Sequence, residues 1–154
     1  MTIYYADASA LVKHYVEEPG SDRVRSICTP GTGHMVAVAQ IGLVEVAAAL
    51  GMKHRRGQLT AADRDELLND LQRDGRTYYV LVDVDPNIVS HAIELTRRQR
   101  LRGYDAVHLA CALFVAETMP TRGLPKPVLL SADHDLLQAA QNEGLATENP
   151  NAYA

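Results

Sequence analysis

Hydrophobic residues in this chain form two kinds of pattern: short continuous runs, and longer stretches in which they recur every three or four positions. Short runs rich in β-branched and aromatic residues are typical of buried strands, and long periodic stretches are typical of helices. We expect strands at 3–6, 35–39, 78–84 and 128–130, with a weaker one at 145–147. We expect helices at 9–16, 22–28, 41–56, 60–76, 87–100, 104–118 and 135–142, and a proline-rich loop at 119–127. This alternation predicts an α/β fold around a central, mainly parallel sheet.

Composition and charge narrow the class of protein. The 154 residues, of which 47% are hydrophobic and 22% charged, are typical of one globular domain that spans the whole chain. The formal net charge of −4 argues against sequence-blind binding to nucleic acid. It does not exclude a nuclease, because a bound metal ion can supply the local positive charge.

The apolar stretches and the cysteines indicate the cellular compartment in which the protein is expected. No basic segment followed by an apolar stretch opens the chain, so we expect no signal peptide. The longest apolar region, 35–52, is interrupted by Gln40 and Glu45 and does not predict a membrane span. Cys28 and Cys111 match neither a metal-ligand spacing nor a redox pair and are expected to be buried free thiols. We therefore expect a cytoplasmic protein.

Acidic residues gather at the ends of the predicted strands. Asp7 directly follows the first strand, and Glu45 lies in the first turns of the helix after the second. Asp133 and Asp135 follow the fourth strand. Parallel sheets bind ligands at the carboxyl ends of their strands, so these connections are expected to deliver carboxylates to one edge. Asp105 begins a helix, where its charge meets the positive helix end.

These acids also have a purely structural interpretation. Asp7 is a suitable N-cap for the helix that follows it, and Asp105 is a suitable first-turn acid. Asp133 and Asp135 fit an N-cap and first-turn pair in the same way. Two further acids, within 83–85, end a strand beside a sequence typical of a helix start, and we interpret both as structural.

Glu45 is set apart by its neighbours. The other residues of 41–49 are apolar or glycine, so the sequence predicts a carboxylate in apolar surroundings. Burying an unpaired carboxylate costs several kcal/mol unless a cation compensates it. The nearest cations in the same helix, Lys53 and Arg55, lie two turns further on. A metal ion is therefore the expected partner of Glu45.

Clustered acids would themselves need a counter-charge. Two like charges about 4 Å apart repel by roughly 4 kcal/mol at an effective dielectric constant of about 20. Hard divalent cations with oxygen ligands offset this repulsion, and Mg²⁺ typically keeps its waters and shares substrate phosphates. If the fold brings the acids together, they predict a metal site that activates water and neutralises charge on a phosphodiester.

Four segments carry these acids in a characteristic order. They are 5–13 with Asp7 and Ser9, 43–46 with Glu45, 104–110 with Asp105, and 130–135 with Ser131, Asp133 and Asp135. The ordered set resembles the motifs of PIN-domain ribonucleases, and most closely those of the VapC-type toxins of bacterial toxin–antitoxin pairs. The resemblance spans residues 3–150. Each motif alone would be weak, but their order is specific.

The resemblance implies a three-layer α/β/α PIN-like domain over 1–154 and an endoribonuclease that depends on Mg²⁺ or Mn²⁺. It implies metal binding by Asp7, Glu45 and Asp105, with either Asp133 or Asp135 as the fourth acid. Ser131 would orient a carboxylate or a water, and Ser9 would either do the same or only hydrogen-bond its helix start. The resemblance further implies an RNA substrate, a homodimer, and inhibition by a cognate VapB-like antitoxin whose segment binds in a groove.

A basic run precedes Asp105 and raises the question of RNA contacts. Arg100 and Arg102 are candidates for holding RNA phosphates, because backbone contacts dominate affinity for nucleic acids. Arg97-Arg98 is interpreted as a solvated helix end whose cations suit the helix dipole. His108, one turn from Asp105 on the same face, is interpreted as a packed, hydrogen-bonded side chain, although metal binding stays an alternative.

Other functions fit the sequence less well. A phosphoaspartyl phosphatase with Asp7 as its nucleophile would need a second acid two residues later, where Ser9 stands. A receiver domain would need a lysine after a late strand, and 131–133 has none. A PIN-like module that binds RNA or a partner without cutting stays open, although the complete set of acids argues against it.

Overall fold

The structure is a computed structural model that describes residues 1–153. The strands are β1 (Ile3–Ala6), β2 (Met35–Ala39), β3 (Val80–Val82), β4 (Val128–Leu130) and β5 (Ala146–Glu148). The helices are α1 (Ala8–Tyr15), α2 (Ser21–Cys28), α3 (Gln40–Arg55), α4 (Ala61–Thr77), α5 (Pro86–Arg98), α6 (Gly103–Thr121) and α7 (His134–Asn142), followed by a 3-10 turn at Pro150–Tyr153. The predicted alternation of strands and helices is confirmed.

The strands form one sheet in the order β3-β2-β1-β4-β5, and every neighbouring pair is parallel. The central strand β1 fixes the register, because Tyr5 stands opposite Ala37 of β2 and Leu129 of β4. Helices cover both faces, which confirms the predicted three-layer α/β/α fold. Since both faces are buried, the strands are apolar at successive positions, as their continuous hydrophobic runs indicated.

Alternating side chains of β1 enter two different cores. Tyr5 packs with residues of α5, α6 and α7 on one face of the sheet. Tyr4 packs with residues of α1, α2, α3 and α4 on the other face. This follows from the two-residue period of a strand, which sends neighbouring side chains to opposite faces.

The order of the strands changes direction at the boundary between β1 and β4, which are neighbours in the sheet. From β1 the chain proceeds outward through β2 to β3, and it then returns to build β4 and β5 on the other side. Such a reversal leaves a crevice at the carboxyl ends of the two adjacent strands, because the connections that follow them diverge. In this chain those connections begin with Asp7 after β1 and Ser131 after β4.

The predicted strand at 78–84 is too long. Tyr78 and Tyr79 instead follow the end of α4 and close it, because their backbone N–H groups both donate to the Asp74 carbonyl oxygen, at 2.8 and 2.9 Å. The buried Asp74 carboxylate also accepts a 2.8 Å hydrogen bond from the Tyr15 hydroxyl, which lies 2.5 Å from the Tyr79 hydroxyl. Tertiary contacts of these polar groups thus override the strand propensity of the tyrosines.

The predicted loop at 119–127 is also partly wrong, because α6 continues to Thr121. Met119 is buried in the core, so the last turn of the helix gains apolar contacts. Pro120 lies inside this last turn, where its missing N–H costs the helix one hydrogen bond. Burial of one side chain therefore outweighs the proline signal at this helix end.

The predictions about cysteines and membrane spans have clear outcomes. Cys28 and Cys111 are both buried free thiols, as predicted. Burial raises the pKa of the Cys28 thiol to about 12, which keeps it protonated and unreactive. Of the helices within residues 1–153, none has both the length and the apolar character that crossing a membrane requires.

Candidate active site

Asp7 lies at the centre of a buried hydrogen-bond network, with only 4% of the residue exposed. Its Oδ1 accepts from the Ala10 backbone N–H at 3.0 Å and from the Ser9 hydroxyl at 2.7 Å. Its Oδ2 accepts from the Ser131 hydroxyl at 2.7 Å. The structural interpretation of Asp7 as the N-cap of α1 is therefore correct. Its Oδ1 forms the capping hydrogen bond, and its Oδ2 binds Ser131 of the β4 connection instead.

The two serines also connect the ends of β1 and β4. The Ser9 hydroxyl accepts from the Ala132 backbone N–H at 3.0 Å, and the Ser131 hydroxyl accepts from the Asp133 N–H at 3.0 Å. Both hydroxyls in turn donate to the Asp7 carboxylate. Each serine thus accepts from a backbone N–H of the β4 connection and donates to the acid that follows β1.

The environment of Asp7 disfavours its charge. Burial is the largest influence and raises the pKa of the Asp7 carboxyl above its ordinary value. Hydrogen bonds from Ser131 and Ser9, and the charge of His108, lower this pKa and offset part of the effect. A buried carboxylate of this kind gains stability from any additional cation that reaches it.

Glu45 has a protein partner that the sequence analysis did not predict. Its side chain is 31% exposed, and its Oε1 lies 2.6 Å from Nε2 of the buried His108. The expectation that Glu45 lies in apolar surroundings is therefore wrong, because its carboxylate is partly exposed and has the His108 imidazole as a partner. His108 comes from α6, 63 positions along the chain, so inspection of α3 alone could not find it. The one sequence signal was the position of His108, one turn from Asp105.

His108 is the packed, hydrogen-bonded histidine that the sequence indicated. It is 1% exposed, and its Nδ1 lies 2.8 Å from the hydroxyl of the fully buried Tyr5. Burial acts most strongly on the imidazole and lowers its pKa. The hydrogen bond and charge of Glu45, with the charges of Asp7 and Asp105, outweigh burial, so the pKa of His108 is raised overall.

Asp105 is half-buried in the first turn of α6. Burial raises the pKa of its carboxyl, and the negative charges of Asp133 and Asp7 raise it further. Arg102, at the N-cap of α6, and His108 lower this pKa by smaller amounts. Asp105 therefore lies within electrostatic range of acids from the ends of both β1 and β4.

The two candidates for the fourth acid lie in different environments. Asp133 is partly buried and caps α7, with its Oδ1 accepting from the Leu136 N–H at 2.9 Å. Asp135 is exposed in the first turn of the same helix. The N-cap and first-turn interpretation of this pair is correct. Of the two, Asp133 is the acid whose charge raises the pKa of Asp105.

The basic run before Asp105 divides into two parts. Arg98 forms a 2.8 Å ion pair with Glu143, and Arg97 lies 3.7 Å from Glu94. These contacts agree with their interpretation as structural surface cations. Arg100 and Arg102 are exposed, and within residues 1–153 neither forms an ion pair. Both guanidinium groups are therefore available for an anionic ligand, and Arg102 is close enough to Asp105 to lower the pKa of its carboxyl.

The chemistry of this cluster fits a hard divalent cation. Carboxylate oxygens are the ligands that Mg²⁺ and Mn²⁺ prefer, and burial together with the negative charges of Asp133 and Asp7 raises the pKa of Asp105. In the described part of the chain, no three acidic, histidine or cysteine side chains are arranged to hold one ion together. Several carboxylate oxygens are engaged in hydrogen bonds to protein groups instead, as at Asp7, Glu45 and Asp133.

Comparisons with known proteins agree with this architecture. The PIN domain family model matches residues 4–142. Ribonuclease VapC45 of Mycobacterium tuberculosis (strain CDC 1551 / Oshkosh) is 35% identical over 120 residues, which cover 76% of this chain and 79% of the relative.

Two solved structures show the same fold at low sequence identity. PAE2754 from Pyrobaculum aerophilum has a TM-score of 0.63 at 20% identity, covering 99% of this chain and 92% of its own. VapBC2 from Rickettsia felis, solved bound to a DNA fragment from their promoter, has a TM-score of 0.61 at 14% identity. That match covers 96% of this chain and 98% of the other.

Proposed function

The chain belongs to the PIN domain family, and we propose that it is a divalent-metal-dependent endoribonuclease that hydrolyses RNA phosphodiester bonds. The activity named for its Mycobacterium tuberculosis relative supports this reaction. The observation that carries the proposal is that Asp7 and Asp133 follow the adjacent strands β1 and β4 and are joined through the Ser131 hydroxyl, with the charges of both acids raising the pKa of Asp105. Carboxylates gathered there suit a hard cation and, through it, the phosphate of a substrate.

In the proposed mechanism Asp7, Glu45, Asp105 and Asp133 hold one or two divalent ions. A bound Mg²⁺ or Mn²⁺ supplies Lewis-acid stabilisation of the phosphodiester and an activated water. Ser131 and Ser9 keep the Asp7 carboxylate in one orientation through their hydrogen bonds. Asp135, which is exposed, is the alternative to Asp133 as the fourth acid.

The RNA would be positioned by cations beside the acids. Arg100 and Arg102 are exposed, and Arg102 is close enough to lower the pKa of Asp105. Guanidinium groups suit phosphate oxygens because their N–H donors form paired hydrogen bonds. Such contacts would hold the RNA backbone next to the carboxylates despite the net charge of −4.

We further propose that the protein is the toxin of a toxin–antitoxin pair, acts as a homodimer in the cytoplasm, and is inhibited by a VapB-like antitoxin. The name VapC of its curated relatives supports the toxin assignment. The structure of VapBC2 from Rickettsia felis, which shares the fold, supports a protein partner. Growth arrest on expression, relieved by the cognate antitoxin, is the expected behaviour.

The ribonuclease is tested by incubating the purified protein with structured RNAs and Mg²⁺ or Mn²⁺, with and without EDTA. Asp7→Asn is the informative variant, because asparagine is also a good N-cap and should preserve α1. Asp83→Asn is the matched control, since Asp83 is an exposed acid just after β3. We expect cleavage by the wild type and by Asp83→Asn, and loss of cleavage with Asp7→Asn or EDTA.

The opposite results would reject the proposed site. Cleavage that survives both Asp7→Asn and the chelator would exclude a metal reaction at this crevice. A wild-type protein that binds RNA but cleaves none of the panel, with either ion, would identify it as a binding module instead.

A further inference from the structure

Two consecutive hydrogen bonds reach Glu45 from the interior of the protein. The Tyr5 hydroxyl lies 2.8 Å from His108 Nδ1, and His108 Nε2 lies 2.6 Å from Glu45 Oε1. Tyr5 is 0% and His108 1% exposed, whereas 31% of the Glu45 side chain is accessible. The inner members of this chain are therefore fixed by packing, and only its last member, Glu45, reaches solvent.

The chemistry of the groups sets the direction of the bond to Glu45. An ionised carboxylate can only accept, so Nε2–H of His108 donates to Oε1 of Glu45. When the imidazole is neutral, its Nδ1 accepts from the Tyr5 hydroxyl, which selects the tautomer protonated at Nε2. Tyr5 thus keeps a donor directed at Glu45.

Packing between α3 and α6 leaves room for this arrangement. Gly42 lies one turn before Glu45 in α3, and a Cβ at this glycine would lie 3.5 Å from His108 Cε1 and 3.2 Å from Val38 Cγ1. The missing side chain therefore lets this turn of α3 approach Val38 of β2 closely, and it places the imidazole of α6 at van der Waals distance from the same turn. The same histidine therefore joins three elements of the site: β1, which Asp7 directly follows, α3, which carries Glu45, and α6, which carries Asp105.

We infer that His108, held by Tyr5, is a positioning residue that fixes the Glu45 carboxylate beside Asp7 and Asp105 and leaves its second oxygen for a divalent cation. Among residues 1–153, Glu45 forms its one side-chain hydrogen bond with His108. Partners that orient a ligand in this way commonly change metal affinity 10- to 100-fold, as an order of magnitude, when they are removed. The inference rests on the proposed function for the identity of the ligand.

The test is the affinity of the purified protein for Mn²⁺, measured by titration calorimetry without RNA. His108→Leu should weaken Mn²⁺ binding by roughly 10- to 100-fold. His108→Gln, which can keep an N–H near the position of Nε2, should recover part of this loss. Tyr5→Phe should weaken binding less than His108→Leu. Tyr79→Phe, which removes a buried hydroxyl from the opposite core, is the matched control and should bind as the wild type.

A second measurement needs no metal. Nitrogen NMR of the metal-free protein should show His108 protonated at Nε2 and hydrogen-bonded, and Glu45→Gln or Tyr5→Phe should shift these signals. If His108→Leu does not fold, Tyr5→Phe and the NMR signals decide the matter. Folded His108→Leu and Tyr5→Phe proteins with wild-type Mn²⁺ affinity would overturn the inference.

The Mn²⁺ titration and the RNA assay separate the two proposals. A wild-type protein that binds Mn²⁺ through His108-dependent contacts, but cleaves no RNA, would reject the ribonuclease and keep the positioning role. Metal-dependent cleavage by a protein whose Mn²⁺ affinity is insensitive to substitution of His108 and Tyr5 would keep the ribonuclease and reject the positioning role.

Discussion

The hydroxyl of Ser131 donates a 2.7 Å hydrogen bond to Oδ2 of Asp7, joining two strand ends that lie 124 positions apart in the chain. Both residues are buried, so water cannot replace this donor easily. The bond favours the ionised carboxylate and lowers the pKa of Asp7 against the larger, opposite influence of burial. Its removal should therefore change how activity depends on pH.

We expect Ser131→Ala to move the acid limb of RNA cleavage to higher pH. The site needs the Asp7 carboxylate, so activity is lost as pH falls through its pKa, and the variant raises that pKa further. The unsatisfied oxygen should also cost about 1–3 kcal/mol of stability. A pH–rate profile tests this, with Ser131→Thr as the hydroxyl-retaining control. An unchanged acid limb in Ser131→Ala would contradict it.

Asp105→Asn should stabilise the metal-free protein while abolishing cleavage. Burial and the charges of Asp133 and Asp7 raise the pKa of Asp105, so its ionised form is less favourable in the folded than in the unfolded chain. A neutral amide removes this penalty near neutral pH, by up to about 1 kcal/mol after solvent screening of a half-exposed group. Urea unfolding measures the gain, which should vanish in acid, where Asp105 is protonated in both states. Destabilisation near pH 7 would refute it.

The ion pair of His108 with Glu45 should make stability depend on pH. The pKa of His108 is raised above its ordinary value of 6.5, because Glu45, Asp7 and Asp105 outweigh burial. The stabilisation is complete below the unfolded pKa and is lost as pH rises through the folded pKa. His108→Gln should therefore cost more free energy of unfolding near about pH 6 than near about pH 9. An equal cost at both pH values would exclude a charged contribution.

Tyr15→Phe should weaken the fold without altering chemistry at the crevice. Burial is the main influence that raises the pKa of Tyr15, so its hydroxyl stays neutral and donates to the buried Asp74. Removing that donor should cost about 1–3 kcal/mol, because Asp74 is left short of a partner. Denaturant unfolding should reveal the loss, whereas cleavage by the folded fraction should match the wild type. A specific loss of cleavage would connect this network to the active site.

Arg102→Ala should lower the affinity for RNA and should make that affinity less sensitive to salt concentration. A phosphate contact releases counterions, so losing one should reduce the slope of log affinity against log salt by roughly 0.7–1. Arg97→Ala is the control, since Arg97 is equally basic but lies 3.7 Å from Glu94, one turn earlier in the same helix. Salt titrations of the catalytically silent Asp7→Asn background would measure this. Equal slopes of log affinity against log salt for the two variants would show that Arg102 does not contact the RNA.

Local patterns in the sequence were sufficient for most of the fold. The periodicity of apolar residues located the strands and helices, because the same residues that form each element must bury one or both of its faces. Thr60, at the start of the helix predicted for 60–76, caps α4 by accepting from the Asp63 N–H at 3.0 Å. The acids at strand ends were also visible, since a parallel sheet places its loops at one edge.

The partners of those acids were decided by the tertiary structure. Glu45 was expected to lack a nearby cation, yet His108 meets it from α6, and Tyr5 meets His108 from a strand 103 positions away. The serine contacts of Asp7 likewise depend on β4 lying beside β1. Capping and apolar periodicity act over a few residues and can be inferred from the sequence alone. Hydrogen bonds between distant segments depend on the strand order and on how α3 packs against α6, which the folded chain alone determines.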